Sequence, residues 1–146
     1  VYKSITTPGT HTRNCAILKD TNLPEFDLTY SALLEVLNMR GLLDETLIVV
    51  MSEMGRTPMI NKNAGRDHWT PCYGMWFAGG GIRGRSVYGA SDSQSAHVKE
   101  APVSPADLRA TIYECLGIDP NMPVYDCANR PYPSAQGGHA IRAILA

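Results

Sequence analysis

The sequence predicts an α/β fold with a mostly parallel sheet flanked by helices, and three observations carry that prediction. The run Leu47-Ile48-Val49-Val50-Met51 is short, unbroken and apolar, the pattern of a strand buried on both faces of a parallel sheet. Ahead of it, Leu23–Arg40 has the apolar spacing of a helix, and the short loop Leu42–Asp44 delivers that helix into the strand, which is half of a crossover unit. Directly after it come Glu53 and Arg56, where the strand would run out. Open α/β sheets bind ligands outside the carboxyl ends of their strands, so these side chains stand where chemistry is expected.

The chain of 146 residues suffices for one domain with its own core, and 1–146 reads as a single domain. With 44% hydrophobic and 18% charged residues its composition is that of a globular protein. A net charge of −1 offers no basic field for nucleic acid or an anionic membrane surface. No apolar run approaches the roughly 20 residues that span a bilayer. Val1-Tyr2-Lys3 carries neither an initiator Met nor the regions of a signal peptide, which points to a processed product or a piece of a longer chain. Cys15, Cys72, Cys115 and Cys127 form no C-x-x-C pair, so zinc-ribbon and thioredoxin chemistry is not expected. Buried free thiols are the expectation, with two disulfides as the alternative in an oxidising compartment.

In chain order, Val1–Ile5 reads as a short strand, followed by a Thr-, Pro- and Gly-rich loop to Asp20 that contains His11. By residue type His11 is a surface-loop histidine, and it gains a role only if its loop abuts Glu53 and His68. In the Leu23–Arg40 helix, Asn22 is placed to cap, Pro24 suits the first turn, and Glu25 and Asp27 favour the positive end of the dipole. Phe26, Tyr30, Leu33, Leu34 and Leu37 form the stripe, and Gly41 ends it. Pro58–Asn63 is polar loop, leading to Gly65-Arg66-Asp67-His68-Trp69. Tyr73–Ala78 reads as a second buried strand, closed by a tight turn at Gly79-Gly80-Gly81 that lacks any phosphate-loop pattern. Ile82–Ala101 is irregular, with Val87–Gly89 as a short edge strand and His97 as a solvated loop histidine. Ser104-Pro105-Ala106-Asp107 is a helix start, with Leu108, Ile112, Cys115 and Leu116 as the buried stripe and Gly117 as the stop. From about 118 to 146 the chain is loop-rich, with His139–Leu145 packing back on the core.

Several blocks carry a family resemblance: Leu42-Leu43-Asp44-Glu45-Thr46, Ser52 to Pro58, Asn63 to Trp69, Ala78 to Ile82, Val103 to Leu108 and Leu116 to Pro120, together with the closing Gly-Gly-His-Ala-Ile-Arg. Over about Leu23–Ala146 the chain resembles the C-terminal part of DUF1501 proteins, a sulfatase-like family of the alkaline phosphatase superfamily. That resemblance implies a doubly wound fold of which this chain is an incomplete C-terminal portion. It implies two metal ions, usually zinc, that activate a Ser or Thr nucleophile and hold a phosphate or sulfate ester. The implied function is metal-dependent ester hydrolysis in the complete parent, with a small anionic ester as substrate. The nucleophile belongs to an N-terminal half outside this chain. Export to the periplasm or beyond, in a bacterium, is implied too.

Residue by residue, the resemblance makes His68 and His11 ligands of the first metal and Glu53 a ligand of the second. It makes Arg56 and Arg66 candidates for the substrate anion or for pairing with Glu53 and Asp67. Asp67 is expected to orient His68. Two departures thin the ligand set: Gly9 stands where the family has an aspartate, and Met54 where many superfamily members have a histidine. Three readings remain open. The chain is an enzyme-derived hydrolase domain, a non-catalytic metal- or anion-binding module, or a plain α/β domain with salt-bridged Glu53–Arg56 and Arg66–Asp67.

Overall fold

The computed structural model describes residues 15–146. They fall into two compact units. One takes the described chain up to Leu43 together with Val50–Trp76 and Ser91–Val98; the other takes Asp44–Val49, Phe77–Ala90 and Lys99–Ala146.

In the first unit, a helical turn at Cys15–Ile17 and a π-helical turn at Leu18–Asn22 run directly into helix α1, Leu23–Met39. Because helical backbone already precedes Leu23, Asn22 lies in the helical region and its side chain caps nothing, which corrects the expected N-cap. The other end is as expected, with Arg40 at the C-cap and Gly41 at φ 66°. Phe26, Tyr30, Leu34 and Leu37 of the stripe are half-buried, whereas Leu33 is 45% exposed. Phe26 stacks on Tyr30 with centroids 5.6 Å apart, and both meet Trp76 edge-on, at 5.9 and 6.2 Å. Such aromatic pairs contribute about 0.5–1.5 kcal/mol each beyond the area they bury.

Among the described residues the strands are short: β1 (Leu47–Val50), β2 (Gly55–Arg56), β3 (His68–Trp69), β4 (Trp76–Gly79), β5 (Ala90–Ser91), β6 (Val98–Glu100), β7 (Pro123–Tyr125) and β8 (Pro131–Pro133). They pair two by two, as β1–β4, β2–β3, β5–β6 and β7–β8. This overturns the mostly parallel, doubly wound sheet, and with it the expectation of an alkaline-phosphatase-like C-terminal portion. The pairs β2–β3 and β7–β8 are antiparallel. The Gly80 N–H donates to the Thr46 carbonyl at 3.0 Å, so the end of β4 lies beside the start of β1, again antiparallel. The connection explains the direction. A parallel partner needs a crossover, usually helical, but the chain between β1 and β4 holds only the β2–β3 hairpin. All four residues of β1 are half-buried rather than sealed on both faces, and β4 starts three residues later than the expected Tyr73.

In the second unit, helix α2 (Pro105–Cys115) begins with a complete capping box. Ser104 Oγ accepts from the Asp107 N–H at 3.1 Å, and Asp107 Oδ2 accepts from the Ser104 N–H at 2.9 Å. Leu108, Ala110 and Thr111 are its buried residues, and Leu116 from the expected stripe is 60% exposed just past the helix end. Thr111 is fully buried and satisfied: its hydroxyl donates to the Asp107 carbonyl at 2.7 Å and accepts from the Ile141 N–H at 3.0 Å. The closing segment packs back as expected, through an Ile82–Leu145 bridge, an Arg83 N–H to Ile144 carbonyl bond of 2.8 Å and an Arg142–Glu114 ion pair of 3.1 Å. Residues 118–138, read as loop, hold the β7–β8 hairpin, whose turn is fixed by the Asp126–Arg130 ion pair at 2.7 Å. All four cysteines are free, as expected, but none is buried: Cys15, Cys72 and Cys115 are half-buried and Cys127 is exposed. Among the described residues, no helix is long and apolar enough to cross a membrane.

Candidate anion site on the β2–β3 hairpin

The residues singled out around Glu53 and His68 lie on or beside one hairpin of the first unit, and its loop explains why it forms. Asn61 Oδ1 accepts from the Asn63 N–H at 2.9 Å and the Gly65 N–H at 3.1 Å, while the Asn61 N–H donates to the Gly65 carbonyl at 2.8 Å. An asparagine that closes a turn on its own neighbours is a local device needing no distant contact. Asn61 Nδ2 also donates to Asp67 Oδ1 at 2.9 Å, which draws the returning strand alongside. Thr57 completes the closure: its N–H donates to the Asp67 carbonyl at 2.9 Å and its hydroxyl accepts from the Asp67 N–H at 3.1 Å.

The register sets which side chains meet. Arg56 is opposite His68 and Gly55 is opposite Trp69. Directly opposed residues share a face, so Arg56 and His68 stand on one side of the ribbon. Since Thr57 and Asp67 are backbone-bonded, alternation makes Arg56–His68 the narrow, non-hydrogen-bonded pair, whose side chains stand closest. Gly55 is required by close approach: a Cβ there would run into the Cys72 carbonyl and lie 2.9 Å from Tyr73 Cβ and 3.0 Å from the Trp69 carbonyl.

Arg56 is the unusual member. Its Nη1 is buried and has no hydrogen-bond partner. Arg56 enters no ion pair either: among the described residues these are Arg130–Asp126 and Arg142–Glu114. The salt-bridged reading, Glu53–Arg56 with Arg66–Asp67, is therefore corrected. Glu53 lies in the exposed bend after β1, where Ser52 Oγ donates to the Met54 carbonyl at 3.0 Å. Arg66 is exposed, and the Asp67 carboxylate accepts from Asn61 rather than from His68. His68 is exposed on β3. His11 lies outside the described residues, as do Gly9 and the expected strand at Val1–Ile5. Among the described residues no three His, Cys, Asp or Glu side chains come together to hold a metal ion. Glu53 and His68 alone fall short of the three protein ligands of a zinc centre.

The hairpin has a neighbour that sequence reasoning missed. The Trp69 indole N–H donates to the Ala96 carbonyl at 2.6 Å, and the His97 ring lies edge-on to Trp69 with centroids 5.8 Å apart. His97, expected to be solvated, is exposed yet packed on an aromatic face. Nothing in its polar surroundings signalled this, because Trp69 and His97 are far apart in sequence.

The family description "Protein of unknown function (DUF1501)" matches residues 9–145, nearly the whole chain. The chain belongs to the DUF1501 family. No curated protein and no solved structure matches it. The match runs through every block quoted for the DUF1501 resemblance, including Ser52–Pro58 and Asn63–Trp69, which build this hairpin. Within this DUF1501 chain, the Arg56–His68 face combines an imidazole with a guanidinium that carries an unmet hydrogen-bond donor.

Proposed function

We propose that this chain carries the anion-binding face of a sulfatase- or phosphatase-like hydrolase, with Arg56 receiving the charged oxygens of a phosphate or sulfate ester. One observation carries the reading: Arg56 Nη1 is buried without a partner. Leaving a charged donor buried and unsatisfied costs about 1–3 kcal/mol or more, and an oxyanion offsets that cost. The guanidinium fork matches two oxygens of a tetrahedral anion, which an ammonium does not. His68 opposite it can donate to the same anion or take a proton beside it. The sequence blocks Ser52–Pro58 and Asn63–Trp69, which resemble those of sulfatase-like proteins, favour an ester rather than a carboxylate as the ligand.

A divalent ion, zinc by that resemblance, belongs to the proposal with His11, Glu53 and His68 as its candidate ligands. A second reading is a binding module that keeps the anion pocket without catalysis. Calorimetry with sulfate and phosphate tests the anion site directly. Arg56→Ala should weaken binding about ten- to hundredfold, the loss of a charge-assisted bond pair, and Arg56→Lys should recover only part of it. Equal affinity in all three proteins refutes the reading. Zinc titration of the parent, His68→Ala and Gly9→Asp tests the metal: binding should vanish in the first variant and strengthen in the second. Identical titrations would remove zinc from the proposal.

A further inference from the structure

We propose that the tip of the β5–β6 hairpin, Asp92–His97, is a positioning element for the Arg56–His68 pair and acts through Trp69. This rests on the reading of that pair as an anion site. The tip is built before it touches anything else. Asp92 Oδ1 accepts from the Gln94 N–H at 3.1 Å and the Ala96 N–H at 2.8 Å, and Oδ2 accepts from the His97 N–H at 3.1 Å. The Asp92 N–H donates back to the His97 carbonyl at 2.9 Å and the Ser95 N–H to the Asp92 carbonyl at 3.0 Å. One carboxylate therefore fixes the backbone that presents the Ala96 carbonyl. These donors, Ala96 first, hold the Asp92 carboxyl below its usual range, as expected of an anion collecting backbone N–H groups.

The presented carbonyl receives the indole proton of Trp69 at 2.6 Å, and Ala96 itself is buried. Trp69 is one of only two residues in β3; the other is His68. On so short a strand, whatever fixes Trp69 fixes the backbone of His68. The two side chains lie on opposite faces, so the tip grips β3 from the side away from Arg56 and His68. The His97 ring, edge-on to the indole, limits its rotation. Neither Asp92 nor His97 needs to touch an anion; their effect passes through one hydrogen bond.

Two variants interrupt this chain of contacts: Trp69→Phe keeps an aromatic ring but deletes the donor, and Asp92→Ala loosens the tip without touching β3. Thr111→Val, in the other unit, serves as a destabilised control. The first readout is the cross-strand nuclear Overhauser effect between Arg56 Hα and His68 Hα, strong in a narrow antiparallel pair. It should fade in Trp69→Phe and Asp92→Ala and persist in Thr111→Val. The second readout is sulfate affinity, which should fall about three- to tenfold in both site variants, the worth of one net hydrogen bond, and not in the control. An unchanged Arg56–His68 signal in both site variants overturns the positioning role, whatever the sulfate result. Fading of the signal with no sulfate binding by the parent protein would sink the anion reading and leave the positioning intact. Arg56-dependent sulfate binding that ignores Trp69→Phe and Asp92→Ala would do the reverse.

Discussion

Adding one methyl group at Gly55 should break the β2–β3 hairpin, and the same addition at Gly74 should not. A Cβ at Gly55 meets the Cys72 carbonyl oxygen, Tyr73 Cβ at 2.9 Å and the Trp69 carbonyl at 3.0 Å. Two of the three obstacles are backbone atoms and the third is a Cβ, so no flexible side chain can swing aside. Relief requires β2 to move away from β3 or from the segment at Cys72–Tyr73. Overpacking of this kind costs about 1–3 kcal/mol, and the rigidity of these neighbours puts Gly55→Ala at the upper end. Gly74 has nothing within 4 Å of its would-be Cβ, and Gly74→Ala should be neutral or stabilising by about 0.4–1 kcal/mol through the unfolded chain. Urea denaturation of both variants measures the difference directly. Sulfate titration of Gly55→Ala should also show weakened binding, because Arg56 is its chain neighbour and moves with it. A Gly55→Ala protein as stable as Gly74→Ala, with parental sulfate affinity, would refute the packing argument.

Three further outcomes are expected. Ala64 holds a left-handed backbone at φ 56°, which costs an L-residue about 1–2 kcal/mol; Ala64→Gly should recover about 0.5–1 kcal/mol net in a thermal melt once glycine's larger unfolded-state entropy is subtracted. Thr111→Val leaves the Ile141 N–H without its acceptor inside the protein and should cost about 1–3 kcal/mol, with faster hydrogen exchange at Ile141. Asp107 is held at about 2, against an ordinary 3.8, first by the His139 N–H and then by Ser104. A carboxyl lowered on folding stabilises above its unfolded value and loses that contribution as pH falls through its folded value. The stability gap between the parent and Asp107→Asn should therefore be full above about pH 4 and shrink towards pH 2, as followed by urea midpoints.

What could be read from the sequence was what local chemistry decides. The Ser104–Asp107 capping box, Pro24 in the first turn of α1 and glycine after each helix are short-range devices, and all stand where the spacing put them. The Leu47–Val50 run was equally plain as a strand, but an apolar run does not state the direction of its partner. That depended on the connection, and the polar stretch after β1 hid a hairpin closed by Asn61 and Thr57. At the site, composition identified Glu53, Arg56 and His68 as residues worth watching. The pairing of Arg56 with His68 is a fact of register, which no spacing between positions 56 and 68 reveals. The expected salt bridges failed because Glu53 stays in the exposed bend after β1 while Arg56 enters β2, and because the Asp67 carboxylate is taken by Asn61 in the turn.

The Asp92 knot has a consequence for how this surface could change over time. Since a single carboxylate shapes the whole tip, the exposed residues Ser93, Gln94 and Ser95 contribute to its form chiefly through their backbone. The side chains of Ser93 and Gln94 are free to vary while the Ala96 carbonyl keeps its place against the indole, whereas Ser95, with a left-handed backbone at φ 56°, admits little besides Gly, Asn or Asp. A library randomised at Ser93 and Gln94 should retain the fold far more often than one randomised at Asp92 and Trp69. The hairpin tip thus pairs a tolerant outer turn with a demanding inner contact, so its sequence can drift without disturbing the Trp69 bond behind β3.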